Sequence, residues 1–456
     1  MTEVIRFTNG FLAMPDGTVS RYKWSLCHDL TLLIQAVKAD LYISPSTGTI
    51  VSGQSSFFDS HRPPARTIDL GGNILAPGLI DVQINGAYGV DFSELNGDDA
   101  DGGEERYIKG LETVASRILE TGCTGYVATI ITQKEEMYRK LLRLLQPRSP
   151  PNAAHVLGYH AEGPFLHPLR RGAHSQTLLM TAAPKAGSTP KDILEKVYGK
   201  EGLDQEGVKM ITAAPDVEGV MDCIPDLVSR GVTVSIGHSD ATLEVATEAM
   251  HKGARMITHL FNAMPPIHHR DPGVIGLLGA HDQRPYFGMI VDGLHSHPNT
   301  VRIAYGACPE RCVLVTDAQS IMDPNLPDGV HDWRPGLKFR KDGYRVVIDG
   351  TETLAGSCSP FPYLLRNLCS FTGCTLPQAL VTATLHPAQM LAGKIAQTKG
   401  QLKEGFHADL CVFDWDGYCR STWVMGKEVW RDAQFGKPGE GNSLAGSRAT
   451  TNGHSV

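Results

Sequence analysis

The stretch VTVSIGHSDATLEVATEAMHKGARMITH, residues 232–259, decides the reading of the fold. VTVSIGH is a short apolar run closed by His238, and ARMITH is a second one closed by His259. Between them, ATLEVATEAMHKGA carries a single helical pattern. Strand, helix and strand in that order form a parallel βαβ unit, because parallel strands need a crossover. Both imidazoles then stand at carboxyl ends, on one rim of the sheet. Glu162 ends a similar run, VLGYHAE, and Asp317 ends CVLVTDA. Two histidines and a glutamate supply three metal ligands with a position open for water, and Asp317 is a spare carboxylate.

Working outward, eight runs read as core strands: LIDVQI, CTGYVATII, HVLGYHAE, VKMITAA, VTVSIGH, ARMITH, YFGMIVD and CVLVTDA. Several are almost wholly apolar, as parallel strands buried on both faces must be. Helical patterns such as EERYIKGLETVASRILETG separate many of them. Eight such units in roughly 250 residues predict a (β/α)8 barrel. An open doubly wound sheet is the alternative, but no glycine-rich phosphate fingerprint follows the first strand. Residues 1–75 read as short strands punctuated by Gly, Pro and Ser, a small β module. Strand-like pieces return in KGQLKEGFHADLCVFD and CRSTWVMGKEVWRDA and are expected to rejoin it. The tail from 435 to 456, rich in Gly, Ser, Asn and Thr, is expected to be disordered.

Composition narrows the function. A net charge of −7 over 456 residues argues against a nucleic-acid partner. The 10 cysteines include no CxxC pair, which points to a reduced, cytoplasmic chain. No apolar run is long enough for a membrane span, and MTEVIRFTNG lacks the pattern of a secretory signal.

Barrel enzymes carry their chemistry at the carboxyl ends of the strands. Glu162, His238, His259, Asp292 and Asp317 all gather there. A lone strand-end histidine is more often structural; two on adjacent units beside a strand-end glutamate favour a metal. Ionised Asp317 is able to take a proton from water and return it to a leaving group. After His259, THLFNAMPPIHHRDPG is dense in polar and turn residues, placing Asn262 and Ala263 near the rim. Arg270 is able to grip an anion, and spacing alone does not say which of His268 and His269 points inward. His295, with His297 as the weaker choice, follows another strand end, and His174 lies on a loop.

In order, HAEGPFL, RGAH, GHSDAT, THLFNAM, HHRDPG, DGLH, VTDA and HPA resemble the N-acetylglucosamine-6-phosphate deacetylase family of the amidohydrolase superfamily. LAPGLIDVQING matches the same family's entry into its first strand, and the resemblance runs from about 68 to about 430. It implies a (β/α)8 barrel over residues 76–396 with a small β-sandwich from residues 1–75 and 397–434. It implies hydrolysis of the acetamide of N-acetyl-D-glucosamine 6-phosphate to D-glucosamine 6-phosphate and acetate. By the same resemblance Glu162, His238 and His259 hold a metal, zinc being the ion that suits the donors, and Asp317 is the general base and acid. Ala173 and His174 would meet the acetamide, with His174 polarising its carbonyl. Asn262, Ala263, Arg270, Asp292 and His295 would hold the sugar phosphate, with Leu354, Ala355 and Gly356 along the pocket edge. The resemblance also implies a homodimer whose partner subunit contributes to the phosphate site.

Three departures from the family pattern stand out. Gln83 and Asn85 occupy the first-strand positions where many amidohydrolases have His-x-His, which predicts one metal ion per subunit. LAGS at 354–357 replaces LSGS, and QSIMDPNLPDG after Asp317 lacks the usual small-residue pattern. The competing readings are an amidohydrolase for a different N-acetylated amino sugar and a non-catalytic scaffold protein. Retention of all four rim residues argues against the second.

Overall fold

The computed structural model of the chain describes residues 3–14, 36–53, 63–95, 102–183, 188–204, 207–333, 338–352, 354 and 356–433. Each of the eight apolar runs forms a strand: β1 (Leu79–Ile84), β2 (Cys123–Ile131), β3 (His155–Glu162), β4 (Val208–Ala213), β5 (Thr233–Ile236), β6 (Met256–Ile257), β7 (Tyr286–Met289) and β8 (Cys312–Leu314). They pair in parallel and in sequence order, β1 through β8. The ring closes just beyond the last strand, where Asp317 N–H donates to Gln83 O at 2.8 Å and Asn85 N–H to Ala318 O at 2.8 Å. The barrel expectation is therefore met, and the open doubly wound sheet is excluded.

The stretch 232–259 folds as its pattern demands. Thr242 accepts the Val245 N–H and so caps the helix Leu243–His251. Gly253, at φ 108°, turns the chain into β6. Every residue of β5 and β6 is buried. One face of the strands packs on the surrounding helices, through residues such as Ile236, Ala246 and Ala249. The other fills the barrel floor with Val82, Met210, Met256 and Tyr286, capped by Met390 and Leu391.

Two further sheets bring together strands from both ends of the chain. The strands Thr49–Val51, Leu41–Ser44, Ile5–Thr8 and Arg66–Asp69 form one. In the other, the C-terminal strands Lys427–Arg431, Cys419–Val424 and Leu410–Phe413 join Ile74–Pro77, Phe11–Ala13 and Ala36–Lys38. Phe7, Ile43, Leu75, Leu410 and Trp423 form the apolar layer that the two share. The two ends of the chain thus meet in one sheet. After β8 the chain makes a three-stranded antiparallel excursion, Gly329–Asp332, Lys338–Asp342 and Arg345–Ile348. The sequence reading had no strands there. The tail expected to be disordered lies outside the described residues.

Candidate metal centre and active site

Glu162 closes β3 itself, while His238 and His259 each stand two residues past a strand end. Past its strand, the backbone leaves the extended region at these histidines and at Asp317. His238 has φ 50°, His259 φ 27° and Asp317 φ 46°. Non-glycine residues rarely adopt positive φ, and such strain concentrates at functional sites.

The result is a triangle of donor atoms. His238 Nε2 and His259 Nε2 each lie 3.1 Å from Glu162 Oε1, and 3.0 Å from each other. Donors about 2.1 Å from a tetrahedral ion stand roughly 3.4 Å apart, so the spacing fits one shared cation. His238 Nδ1 lies 2.8 Å from the Arg170 carbonyl, which accepts only a proton donor. Its lone pair is thereby assigned to Nε2, the atom in the triangle. All three residues are at least 95 % buried. Burial opposes the Glu162 charge, yet the two imidazoles set against it hold its carboxyl well below the usual range. For His259 burial opposes protonation, and the Glu162 carboxylate overcomes it and raises its pKa.

Asp317 faces this triangle. Its Oδ1 accepts from Asn85 Nδ2 at 2.7 Å and from Gln83 Nε2 at 3.3 Å. Gln83 Nε2 also lies 3.3 Å from Glu162 Oε1, so one amide spans the two carboxylates. Burial, and then the Glu162 charge, push Asp317 up to about 6, against the pull of His259, His295 and Asn85. An acid in that range exchanges protons readily near neutral pH.

His174 is held by Thr132. Its Nδ1 accepts the Thr132 backbone N–H at 3.3 Å and lies 2.8 Å from the Thr132 hydroxyl. With Nδ1 an acceptor, Nε2 carries the proton and is the donor face of the ring. Asp292 accepts the backbone N–H groups of Leu294 and His295 at 2.8 Å and pairs with His295 Nδ1 at 2.6 Å. Burial opposes its charge, but those partners keep its pKa low.

A cavity of about 210 Å³ gathers most of the sequence-predicted residues: Glu162, Ala173, His174, His238, His259, Asn262, Ala263, His295, Asp317 and Gly356. Three of the expected positions that the structure describes stand elsewhere. Arg270 is exposed and lines no part of this cavity, because the segment 266–270 runs over the surface. His268 and His269 are exposed with it. Asp292 sits behind His295 and acts on the cavity through that ring. Leu354 bridges Val347 of the antiparallel excursion, and Ala355 lies outside the described residues. Gly356, at φ 91°, has no room for a Cβ, which would stand 2.4 Å from Gln319 Cγ.

Ile131, Gly172, Ile290, Gln319 and Trp333 also line the cavity and were not found from sequence. Ile131 ends β2, so the strand-end rule would have reached it. Trp333 comes from the antiparallel excursion, which no periodic pattern announces.

A second cluster has metal-like spacing: His155, His407 and Asp409, at the opposite end of the barrel strands. There the buried Lys399 ammonium donates to Asp409 Oδ2 and to His155 Nδ1, the latter at 2.8 Å. A cation supplied by the chain already occupies the place between the ligands. The triangle at Glu162 contains no such side chain.

The chain matches the Amidohydrolase family over residues 74–429. It is 41 % identical to N-acetylglucosamine-6-phosphate deacetylase of Danio rerio over 389 residues, 84 % of this chain and 91 % of that protein. The enzyme of the same name from Caenorhabditis elegans is 40 % identical over 387 residues, covering 84 % and 88 %. Among solved structures, N-acetylglucosamine-6-phosphate deacetylase from Pasteurella multocida superposes with a TM-score of 0.74 at 26 % identity, covering 93 % of this chain and 99 % of that one. A Mycobacterium smegmatis deacetylase in complex with N-acetyl-D-glucosamine-6-phosphate gives 0.70 at 25 % identity, covering 94 % and 99 %. With the whole barrel matched and relatives of one name found both by sequence and by structure, the chain belongs to the amidohydrolase family, among its N-acetylglucosamine-6-phosphate deacetylases.

Proposed function

We propose that the protein hydrolyses N-acetyl-D-glucosamine 6-phosphate to D-glucosamine 6-phosphate and acetate at the cavity around Asp317. The observation that carries this reading is the donor triangle of Glu162, His238 and His259 facing the buried Asp317 carboxylate, which Asn85 and Gln83 hold in place. Glu162, His238 and His259 hold one divalent ion, zinc by the character of two imidazoles and a carboxylate. When bound, such an ion supplies an acidified water and an electrophile for the carbonyl oxygen.

The remaining work falls to the chain. His174 donates from Nε2 to the acetamide carbonyl and stabilises the charge that develops there. Asp317 takes the proton of the attacking water and delivers it to the amino-sugar nitrogen as the C–N bond breaks. Asn85 and Gln83 orient Asp317, and their amide N–H groups are thereby committed to carboxylates. His295, braced by Asp292, binds the sugar phosphate together with Asn262 and Ala263, and Gly356 leaves space for it. Cleavage expels acetate on the side of Ala173.

Arg270 serves the phosphate of a second subunit in a homodimer. Its exposure, and the 66 % exposed Ile267 three residues before it, support that role. All nine described cysteines are free, which supports a reducing, cytoplasmic location. No helix among the described residues is long and apolar enough to cross a membrane.

Steady-state kinetics on N-acetylglucosamine with and without the 6-phosphate test the substrate. The proposal requires a much higher kcat/KM for the phosphorylated sugar. Equal efficiency on both would remove the phosphate from the account.

A further inference from the structure

At the amino-terminal ends of β6, β7 and β8, on the rim opposite the catalytic one, the barrel floor borders a further cavity of about 610 Å³, wide open to solvent. Arg255 immediately precedes β6, Tyr286 begins β7 and Arg311 immediately precedes β8, and all three line it. The Arg311 guanidinium lies over the Tyr286 ring at 4.7 Å and that of Arg255 at 5.9 Å. Tyr286 is itself fixed, buried and hydrogen-bonded through its hydroxyl to Gln389 Oε1 at 3.3 Å. Arg255 spends one donor on the Gln389 carbonyl at 3.0 Å. Among the described residues, neither arginine has a carboxylate at ion-pair distance, and the Arg311 side chain makes no hydrogen bond. Glu310, the one acid on the cavity wall among the described residues, faces Arg284 at 3.8 Å and the Cys308 thiol at 3.3 Å. The wall also contains Ala392 at φ 59° and ψ −155°, a conformation almost confined to glycine and frequent at ligand sites.

Two guanidiniums on one ring, unneutralised and beside a cavity, repel each other. An anion between them relieves that repulsion and satisfies the idle donors. The Tyr286 ring beside both guanidiniums, and the Gln389 carbonyl on Arg255, already restrain the forks, so less side-chain freedom is lost on binding. The planar fork matches the oxygen spacing of a phosphate, and a dianion answers two cations. We propose that this floor cavity binds a phosphate dianion, either inorganic phosphate or the phosphate of a small ester, through Arg255 and Arg311. The site is separate from the catalytic cavity, with which it shares no lining residue.

Isothermal titration calorimetry on the full-length enzyme decides it, with inorganic phosphate and D-glucosamine 6-phosphate titrated separately. In the double variant Arg255→Gln/Arg311→Gln, one binding component is expected to weaken at least tenfold, while kcat/KM for the acetylated sugar phosphate stays within about twofold. Loss of the component for inorganic phosphate assigns the free anion, and loss for the ester alone assigns the ester. Glu310→Gln removes the one negative charge on the wall and is expected to tighten the same component about threefold, a gain that misfolding does not mimic. Unchanged binding of both ligands in the double variant, or no tightening in Glu310→Gln, would overturn the proposal.

Discussion

Asn85 donates its side-chain amide to Asp317 Oδ1 at 2.7 Å, across the seam where the barrel closes. That hydrogen bond fixes one oxygen of the carboxylate and leaves the other for proton transfer. Asp317→Asn keeps the size of the group and removes the base. Turnover is expected to fall by roughly 10² to 10⁴, with metal content per subunit unchanged. Near-normal kcat in this variant would remove Asp317 from the mechanism.

His238→Ala takes one atom from the donor triangle. Metal content after dialysis is expected to drop well below that of the unmodified protein, together with activity. Chelation of the unmodified enzyme should abolish turnover, and added zinc should restore it. A His238→Ala protein that retained stoichiometric metal would show the ion to be held elsewhere.

Arg270 is exposed and outside the cavity of its own subunit. Arg270→Ala is expected to raise KM for the phosphorylated sugar at least tenfold, about the loss of a charge-assisted contact of 1.5–3 kcal/mol. It should leave the slow reaction of the unphosphorylated sugar unchanged. Mixing Arg270→Ala with Asp317→Asn subunits should regain activity in the heterodimers, each of which holds one intact site. No recovery in heterodimers verified by mass would contradict the shared site.

Lys399 is the buried cation between His155, His407 and Asp409. Lys399→Met strands the Asp409 charge and is expected to cost roughly 3–5 kcal/mol of stability. Lys399→Ala opens the ligand set, so nickel or zinc should raise its melting temperature and leave that of the unmodified chain unaffected at this cluster. Denaturant unfolding of Lys399→Met at the same midpoint as the parent would refute the role.

Asp81 offers a check on pH. Burial pushes its carboxyl up to about 7, although the Thr316 hydroxyl donates to it at 2.5 Å. Folded Asp81 therefore keeps its proton after the unfolded chain, near 4, has lost it. Stability from this group is fully present below about pH 4 and declines as pH rises to about 7, by something on the order of 2–4 kcal/mol. Asp81→Asn should flatten that decline in urea unfolding between pH 4.5 and 8. An identical pH slope in the variant would show that Asp81 is not held protonated.

The barrel was legible because its strands are buried on both faces and therefore read as apolar runs with polar residues at one end. The same rule exposed Glu162, His238, His259 and Asp317, whose places depend only on where each strand stops. What escaped depends on contacts distant in sequence. Thr132 sets the His174 tautomer from 42 residues away, and the Arg170 carbonyl sets that of His238 from 68. Trp333 reaches the cavity on a short antiparallel excursion with no strong period. Arg270 had the right chemistry for an anion clamp, but only the fold reveals that its segment faces outward.

The most direct test of the central claim measures primary amine released from N-acetyl-D-glucosamine 6-phosphate, with metal analysis on the same sample. Stoichiometric amine and acetate, at a rate proportional to bound metal and reaching its maximum near one ion per subunit, is the expected result. Amine release independent of metal content, or none from fully loaded protein, would contradict a deacetylase built on Glu162, His238, His259 and Asp317.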